Sequence, residues 1–193
     1  EDENAIPFEG EEIDHIPVKI YEKNEIILDN EDPSFEVLGI EEESLLRKLI
    51  IKDDDVQEKY AGFSNWRIPR SWTLTTNSNF YGAYVRSAYY IRSGTGNQYA
   101  IWNVPVNNPG FYEIYTYIYK NNRRRGRRNN DGQYHYTIFH DDGEEDTSIN
   151  LKNAEEGWNY LGAYYFSNDT AKIILSNNSD SRMVIADAIK LVK

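Results

Sequence analysis

A chain of 193 residues with 39% hydrophobic and 14% aromatic side chains has the material for one packed domain, which at that length buries roughly 70% of its unfolded surface. The absence of Cys excludes disulfides, thiolate nucleophiles and Cys-based zinc sites together, and charges interrupt every apolar run before the roughly 18 residues a membrane-spanning helix needs. The net charge of −11 is uneven, with 20 acids against 6 bases over residues 1–60 and 12 against 15 over residues 61–193, so arguments about partners are local ones.

Residues 1–24 mix acids, two prolines and scattered aliphatics, with strand-like alternation only at Val18-Lys19-Ile20-Tyr21. They read as a linker or N-terminal tail. The chain starts without Met or a signal-peptide pattern, as a trimmed protein or an excised domain does. From residue 25 to residue 193, short β-rich runs alternate with Asn, Asp, Gly and Pro, the texture of an all-β sandwich or barrel. Strands are predicted over 26–29, 35–38, 72–76, 99–104, 111–119, 134–140, 147–151, 159–166, 171–176 and 183–192. A short helix is predicted near residues 43–52, where Glu41-Glu42-Glu43 precede Arg47-Lys48, because that order of charge suits a helix dipole. With Asp53-Asp54-Asp55 and the stretch behind it, residues 40–70 read as an insertion on the surface of the domain.

The clearest local unit is the hairpin around Asn107-Asn108-Pro109-Gly110, which is strong turn chemistry between two aromatic strands. In the second of these strands a period of two separates Tyr112, Ile114, Thr116 and Ile118 from Glu113, Tyr115, Tyr117 and Tyr119. The first set reads as core. The second is either another buried face or an exposed row of phenols.

Four stretches in order carry a family resemblance: Ile27-Leu28-Asp29-Asn30-Glu31-Asp32-Pro33-Ser34-Phe35; Trp102-Asn103-Val104-Pro105 with Pro109-Gly110-Phe111-Tyr112; Gly157-Trp158-Asn159-Tyr160-Leu161-Gly162; and Val184-Ile185-Ala186-Asp187-Ala188-Ile189. Over about residues 25–193 the chain resembles the golvesin C-terminal, or xanthan-lyase carbohydrate-binding-like, domain. The resemblance implies an antiparallel jelly-roll β-sandwich, here with a short helical insertion, appended to bacterial extracellular enzymes or surface proteins in a non-catalytic carbohydrate-binding role. Asp29, Asn30, Trp102, Gly110, Trp158, Gly162 and Asp187 fall in these stretches and read as structural: tryptophans that anchor a core, glycines for turns or close packing, and an Asp that must be hydrogen-bonded or solvent-facing.

No catalytic set emerges. Asp187 lies in an apolar strand without a second carboxylate in a comparable strand, whereas glycosidase chemistry needs two. His135 and His140 are five apart in one predicted strand and point to opposite faces, and no nucleophile elbow, P-loop or dinucleotide fingerprint is present. Asp141, Asp142 and Glu144 offer hard oxygen ligands in a turn that calcium could take. The alternative is a solvated acidic hairpin, and no other cofactor is predicted.

Two groups of residues point to a ligand. Arg123, Arg124, Arg125, Arg127 and Arg128 crowd one loop, and guanidinium forks match carboxylate, sulfate or phosphate oxygens. The alternative is an exposed loop whose charge pairs with the acidic first sixty residues. No nucleic-acid-binding motif accompanies the run. Trp66, Tyr89, Tyr90, Tyr115, Tyr117 and Tyr119 supply flat rings on which the C–H faces of a sugar can pack, although Tyr is also favoured in buried β structure. The reading is of a non-catalytic extracellular, cell-surface or periplasmic module that binds a polysaccharide, an anionic one where the Arg run takes part. The alternative is a structural module packed against a neighbouring catalytic domain of the same secreted or surface protein.

Overall fold

The computed structural model describes residues 25–39, 61–64, 66–82, 84–120, 132–167 and 170–193. Thirteen strands run in chain order among them: β1 (Glu25–Leu28), β2 (Phe35–Gly39), β3 (Ala61–Gly62), β4 (Thr73–Thr76), β5 (Ser87–Arg92), β6 (Gln98–Pro105), β7 (Gly110–Ile118), β8 (Gln133–His140), β9 (Gly143–Asn150), β10 (Gly157–Phe166), β11 (Thr170–Ser176), β12 (Met183–Ala186) and β13 (Ile189–Val192). They form three sheets, with orders β1-β13-β7-β10, β2-β6-β11-β8-β9 and β12-β5-β4-β3. Neighbouring strands are antiparallel, with β3 and β4 the parallel exception. The fold is the antiparallel jelly-roll β-sandwich that the sequence implied. The helix predicted near 43–52 and the Arg run at 123–128 lie outside the described residues.

Alternation explains the layering. On β7, Tyr112, Ile114, Thr116 and Ile118 are buried while Phe111 and Glu113 are exposed, and β13 turns Ile189 and Leu191 inward. These meet Trp102 of β6, Tyr136 and Ile138 of β8, and Ile173 and Leu175 of β11 in one apolar interior. Trp102 is fully buried and packs on Phe35 at 5.2 Å, and its indole Nε1 finds no hydrogen-bond partner among the described residues. Within the same interior, Tyr136 Oη and Thr116 Oγ1 satisfy each other at 2.9 Å.

The third sheet has its own smaller core of Ile68, Phe80, Ala88, Tyr90, Met183 and Ile185, with Phe63 and Tyr119 packed against it. Two expectations change here. The sequence places the stretch behind residue 60 on the surface, yet Ile68 lies in this core and Phe63 packs against it, edge-on to Phe80 at 5.5 Å. The single strand predicted over 183–192 is two strands in different sheets, broken at Asp187-Ala188, so that β12 pairs with β5 while β13 pairs with β7 and β1.

Trp102 offers a test of how packing weighs against an unsatisfied donor. Trp102→Ala is expected to cost about 3–5 kcal/mol. Trp102→Phe is expected to cost clearly less, because losing the indole also removes a buried N–H that meets no acceptor among the described residues. Urea denaturation of the two variants measures both values, and equal losses would contradict the account.

Candidate functional site

The outer face of the first sheet is built by the residues that alternation turns away from the core. Gly157 opens β10 with φ 101°, a conformation a side chain would strain. Trp158 then pairs with Tyr117, Tyr160 with Tyr115, and, beyond a bulge, Ala163 with Glu113 and Tyr165 with Phe111. The bulge at Leu161 restores the outward parity of the second half of the strand. Gly162 is needed beside it, because a Cβ there would meet the Tyr164 ring at 2.5 Å. On the other side of β7, Lys190 pairs with Tyr115 and Val192 with Glu113, while Ile27 and Glu25 complete the rows on β1.

The result is a set of outward rows about 7 Å apart along the strands, aromatic except for the Glu113–Ala163 row that separates Tyr115 and Tyr160 from Phe111 and Tyr165. Tyr81 packs on Tyr117 at 5.6 Å and on Trp158 at 5.2 Å, and Tyr117 meets Trp158 edge-on at 5.3 Å. Next come Tyr115 and Tyr160, with centroids 5.5 Å apart, then Phe111 and Tyr165 at 5.2 Å. Tyr160 is 53% exposed and Phe111 70%, so the rows open to solvent. Tyr115 Oη donates to Glu113 Oε2 at 2.7 Å, which together with partial desolvation pushes the phenol up to about 12. Lys190 Nζ lies over the Tyr115 ring at 5.1 Å and over Trp158 at 5.0 Å.

A buried polar layer lies behind the Tyr81 end. Asp187 is 2% exposed, and its carboxyl accepts from the Tyr81 backbone N–H at 3.1 and 3.3 Å. Burial pushes this carboxyl well above the usual Asp range, and the nearby charge of Asp29 pushes in the same direction. Asp29 is raised to about 6, first by desolvation and then by Asp32 and Glu31, against the hydrogen bond from the Asn30 backbone. The Asn30 amide, oriented so that both ends are satisfied, donates to Ser87 O at 2.8 Å and to Asp29 Oδ1 at 2.7 Å and accepts from Ser87 Oγ.

Of the residues singled out in the sequence, Tyr115 and Tyr117 stand together on this face, and Trp158, expected to anchor the core, is half-buried there against Tyr81 and Tyr117 instead. Tyr119 packs in the second core against Phe80 at 5.1 Å, Tyr90 is buried there, and Tyr89 stacks on Phe35 at 5.3 Å against the main interior. Trp66 is exposed in the connection between β3 and β4, on the third sheet. Trp102 and Gly110 are structural: a Cβ on Gly110 would meet Lys193 Cε at 2.7 Å. Asp141 and Asp142 form the two-residue turn between β8 and β9, where Asp141 Oδ1 accepts from Ser167 N at 3.0 Å and the Asp141 carboxyl is held below the usual range first by the Ser167 side chain and then by that backbone contact. Glu144 stands on β9, and among the described residues no group of three His, Asp or Glu comes together to hold a metal ion. Tyr160 and Lys190 were missed. Lys190, a lone charge between Ile189 and Leu191, was the signal that could have found the β13 part of the face.

Fold and face together define an antiparallel jelly-roll β-sandwich with an aromatic surface on one sheet. The chain belongs to the Golvesin C-terminal domain family, whose model matches residues 57–193. Among solved structures it is similar in fold to a Paenibacillus xanthan lyase, with a TM-score of 0.60 at 20% identity over 88% of this chain, and it spans 13% of the lyase chain. A family 35 carbohydrate-binding module from Clostridium thermocellum gives a TM-score of 0.47 at 12% identity, covering 86% of this chain and 98% of that one. The K1 cleaved adhesin domain of Lys-gingipain from Porphyromonas gingivalis gives 0.42 at 10% identity, covering 86% and 96%. No curated protein matches the sequence. Among the described residues no helix is long and apolar enough to cross a membrane.

The polar layer makes stability depend on pH with a definite sign. Asp29 and Asp187 both have folded-state values above the ordinary 3.8, Asp29 at about 6 and Asp187 raised well above it. Their contribution is therefore full below the unfolded value and is lost as pH rises through about 6 and beyond, with a slope of at most about 1.4 kcal/mol per pH unit for each proton. Asp187→Asn is expected to raise the urea midpoint at about pH 8 relative to the parent and to leave it nearly unchanged at about pH 4. A variant that tracks the parent across this range would contradict the assignment.

Proposed function

We propose that the domain is a non-catalytic glycan-binding accessory module of a larger extracellular or cell-surface protein, and that the outer face of the first sheet is its binding surface. One observation carries the reading: aromatic rings stand in open rows along β7 and β10, flanked by Glu113, Glu25 and Lys190. Sugars offer C–H faces to such rings and hydroxyls to such polar neighbours. The burial of Asp187 supports a non-catalytic role, since a carboxyl 2% exposed has no access to a scissile bond. The xanthan lyase acts on a polysaccharide by its name, and this chain spans 13% of it, which fits an appended part of a larger protein. A module that only packs on a neighbouring domain would instead use the exposed Phe111–Tyr165 pair at the far end of the sheet.

Tyr160→Ala and Tyr115→Ala are each expected to weaken glycan binding by about two- to twelvefold, the worth of one aromatic contact, with the melting temperature little changed. A glycan array followed by affinity electrophoresis reads the effect. Binding that is indifferent to both changes would remove the face from consideration.

A preference for an anionic polysaccharide rests on the Arg run alone. Five guanidiniums within six residues favour uronate or sulfate oxygens through bidentate pairs. Exchanging Arg123, Arg124, Arg125, Arg127 and Arg128 for Ser should abolish retention of an acidic glycan and leave the melting temperature nearly unchanged. Retention by the parent should fall steeply with salt, since exposed charges are screened over about 8 Å at physiological ionic strength. Salt-independent retention would assign the binding to the aromatic rows instead.

A further inference from the structure

The aromatic face carries one cation whose hydrogen-bonding capacity is unspent. Lys190 sits between Ile189 and Leu191, both fully buried, so alternation turns its side chain outward. Its Nζ rests 5.1 Å from the centroid of Tyr115 and 5.0 Å from that of Trp158, while the side chain is only 15% exposed. Glu25 Oε1 lies 3.9 Å away on a side chain 41% exposed. That contact is an ion pair too long to be a hydrogen bond. Among the described residues no hydrogen bond reaches the ammonium, leaving three N–H donors fixed in place over the rings.

We propose that Lys190 and Glu25 are the specificity-determining donor and acceptor of this face, reading two neighbouring hydroxyls of an uncharged sugar stacked on Tyr115 and Tyr160. The inference rests on the glycan reading above and narrows it to a ligand class for these rows. The loose spacing of the pair is what suits it: one hydroxyl accepts from Nζ while its neighbour donates to Oε1, and both charged groups gain the bonds they do not give each other. The ring positions agree, because Lys190, Tyr115 and Tyr160 occupy one row across β13, β7 and β10, with Glu25 two residues along on β1. Charge argues against an acidic sugar in this place. Glu25 and Glu113 both stand on the outer face, Lys190 offsets one of them, and the Glu113 carboxylate already accepts from Tyr115 Oη at 2.7 Å. A ring carboxylate seated over Tyr115 would meet the remaining negative charge, whereas an uncharged ring meets none.

The test is isothermal titration calorimetry of the full chain with four probes, cellohexaose, xylohexaose, mannohexaose and hexagalacturonate, on the parent and on K190M, E25Q and Y160A. Lys190→Met keeps an unbranched apolar stem over the rings and removes the donors. The expected result is that any hexagalacturonate binding is indifferent to K190M and that at least one neutral hexasaccharide binds. K190M should then weaken that binding about tenfold or more, the worth of a charge-assisted hydrogen bond, and E25Q should weaken it by a smaller factor with the melting temperature preserved. Should K190M fail to fold, E25Q on its exposed side chain carries the test. Loss of binding in Y160A with none in K190M or E25Q overturns the role of the pair and leaves the aromatic face standing. Tighter binding of hexagalacturonate than of every neutral probe, dependent on Lys190, overturns the uncharged-sugar assignment. Indifference to all three changes, or no binding of any probe by the parent, overturns the pair and the face together.

Discussion

The structure depends on one constraint: β7 is paired on both sides, with β10 and β13, and its inner face is sealed against a second sheet. A strand held in this way cannot slip by one residue without exchanging Ile114 and Ile118 for Glu113 and Tyr117 in the interior. The cost of burying Glu113 fixes the register, and the register then dictates which rings face water. The aromatic rows follow from the core. Cross-strand pairing with β10 brings Trp158 and Tyr160 beside Tyr117 and Tyr115, so a surface of several rings arises from two strands whose parity is decided elsewhere.

Much of this was legible in the residues. Alternation identified the two faces of β7, the Asn-Asn-Pro-Gly turn marked its start, and the ordered stretches from Asp29 to Asp187 pointed to the family and its jelly roll. What escaped reading has physical causes. The segment of β5, Ser87–Arg92, alternates too weakly to stand out because its residues serve two cores: Tyr89 leans on Phe35 while Tyr90 enters the smaller cluster with Met183 and Ile185. Tyrosine identity alone cannot separate a platform from a core, since the same ring is buried at Tyr136 and open at Tyr160. Which one occurs depends on partners remote in sequence.

Asp187 marks the point where the chain leaves the third sheet and enters the first. Ala186 still pairs with Tyr89, and Ile189 already pairs with Thr116. A residue between two sheets has no ladder of its own, and the carboxyl answers the Tyr81 N–H that would otherwise be unmet. The same bond seats Tyr81 against Tyr117 and Trp158. An acid buried for structural reasons thereby settles the end of the aromatic surface, which explains why it stands in an otherwise apolar stretch.

The two ends of the second sheet are not alike, and the difference bears on how the molecule behaves in company. Strand β9 is eight residues long, and among the described residues its backbone has a strand partner on one side only. Such an edge is a template on which another chain can polymerise. Glu144, Glu145 and Asp146 stand exposed in succession along it, so that a second β9 approaching edge to edge brings like charges into register at the spacing of adjacent strands. The acidic run along β9 thus disfavours edge-to-edge pairing on the open side of the sandwich in a chain rich in strands and phenols.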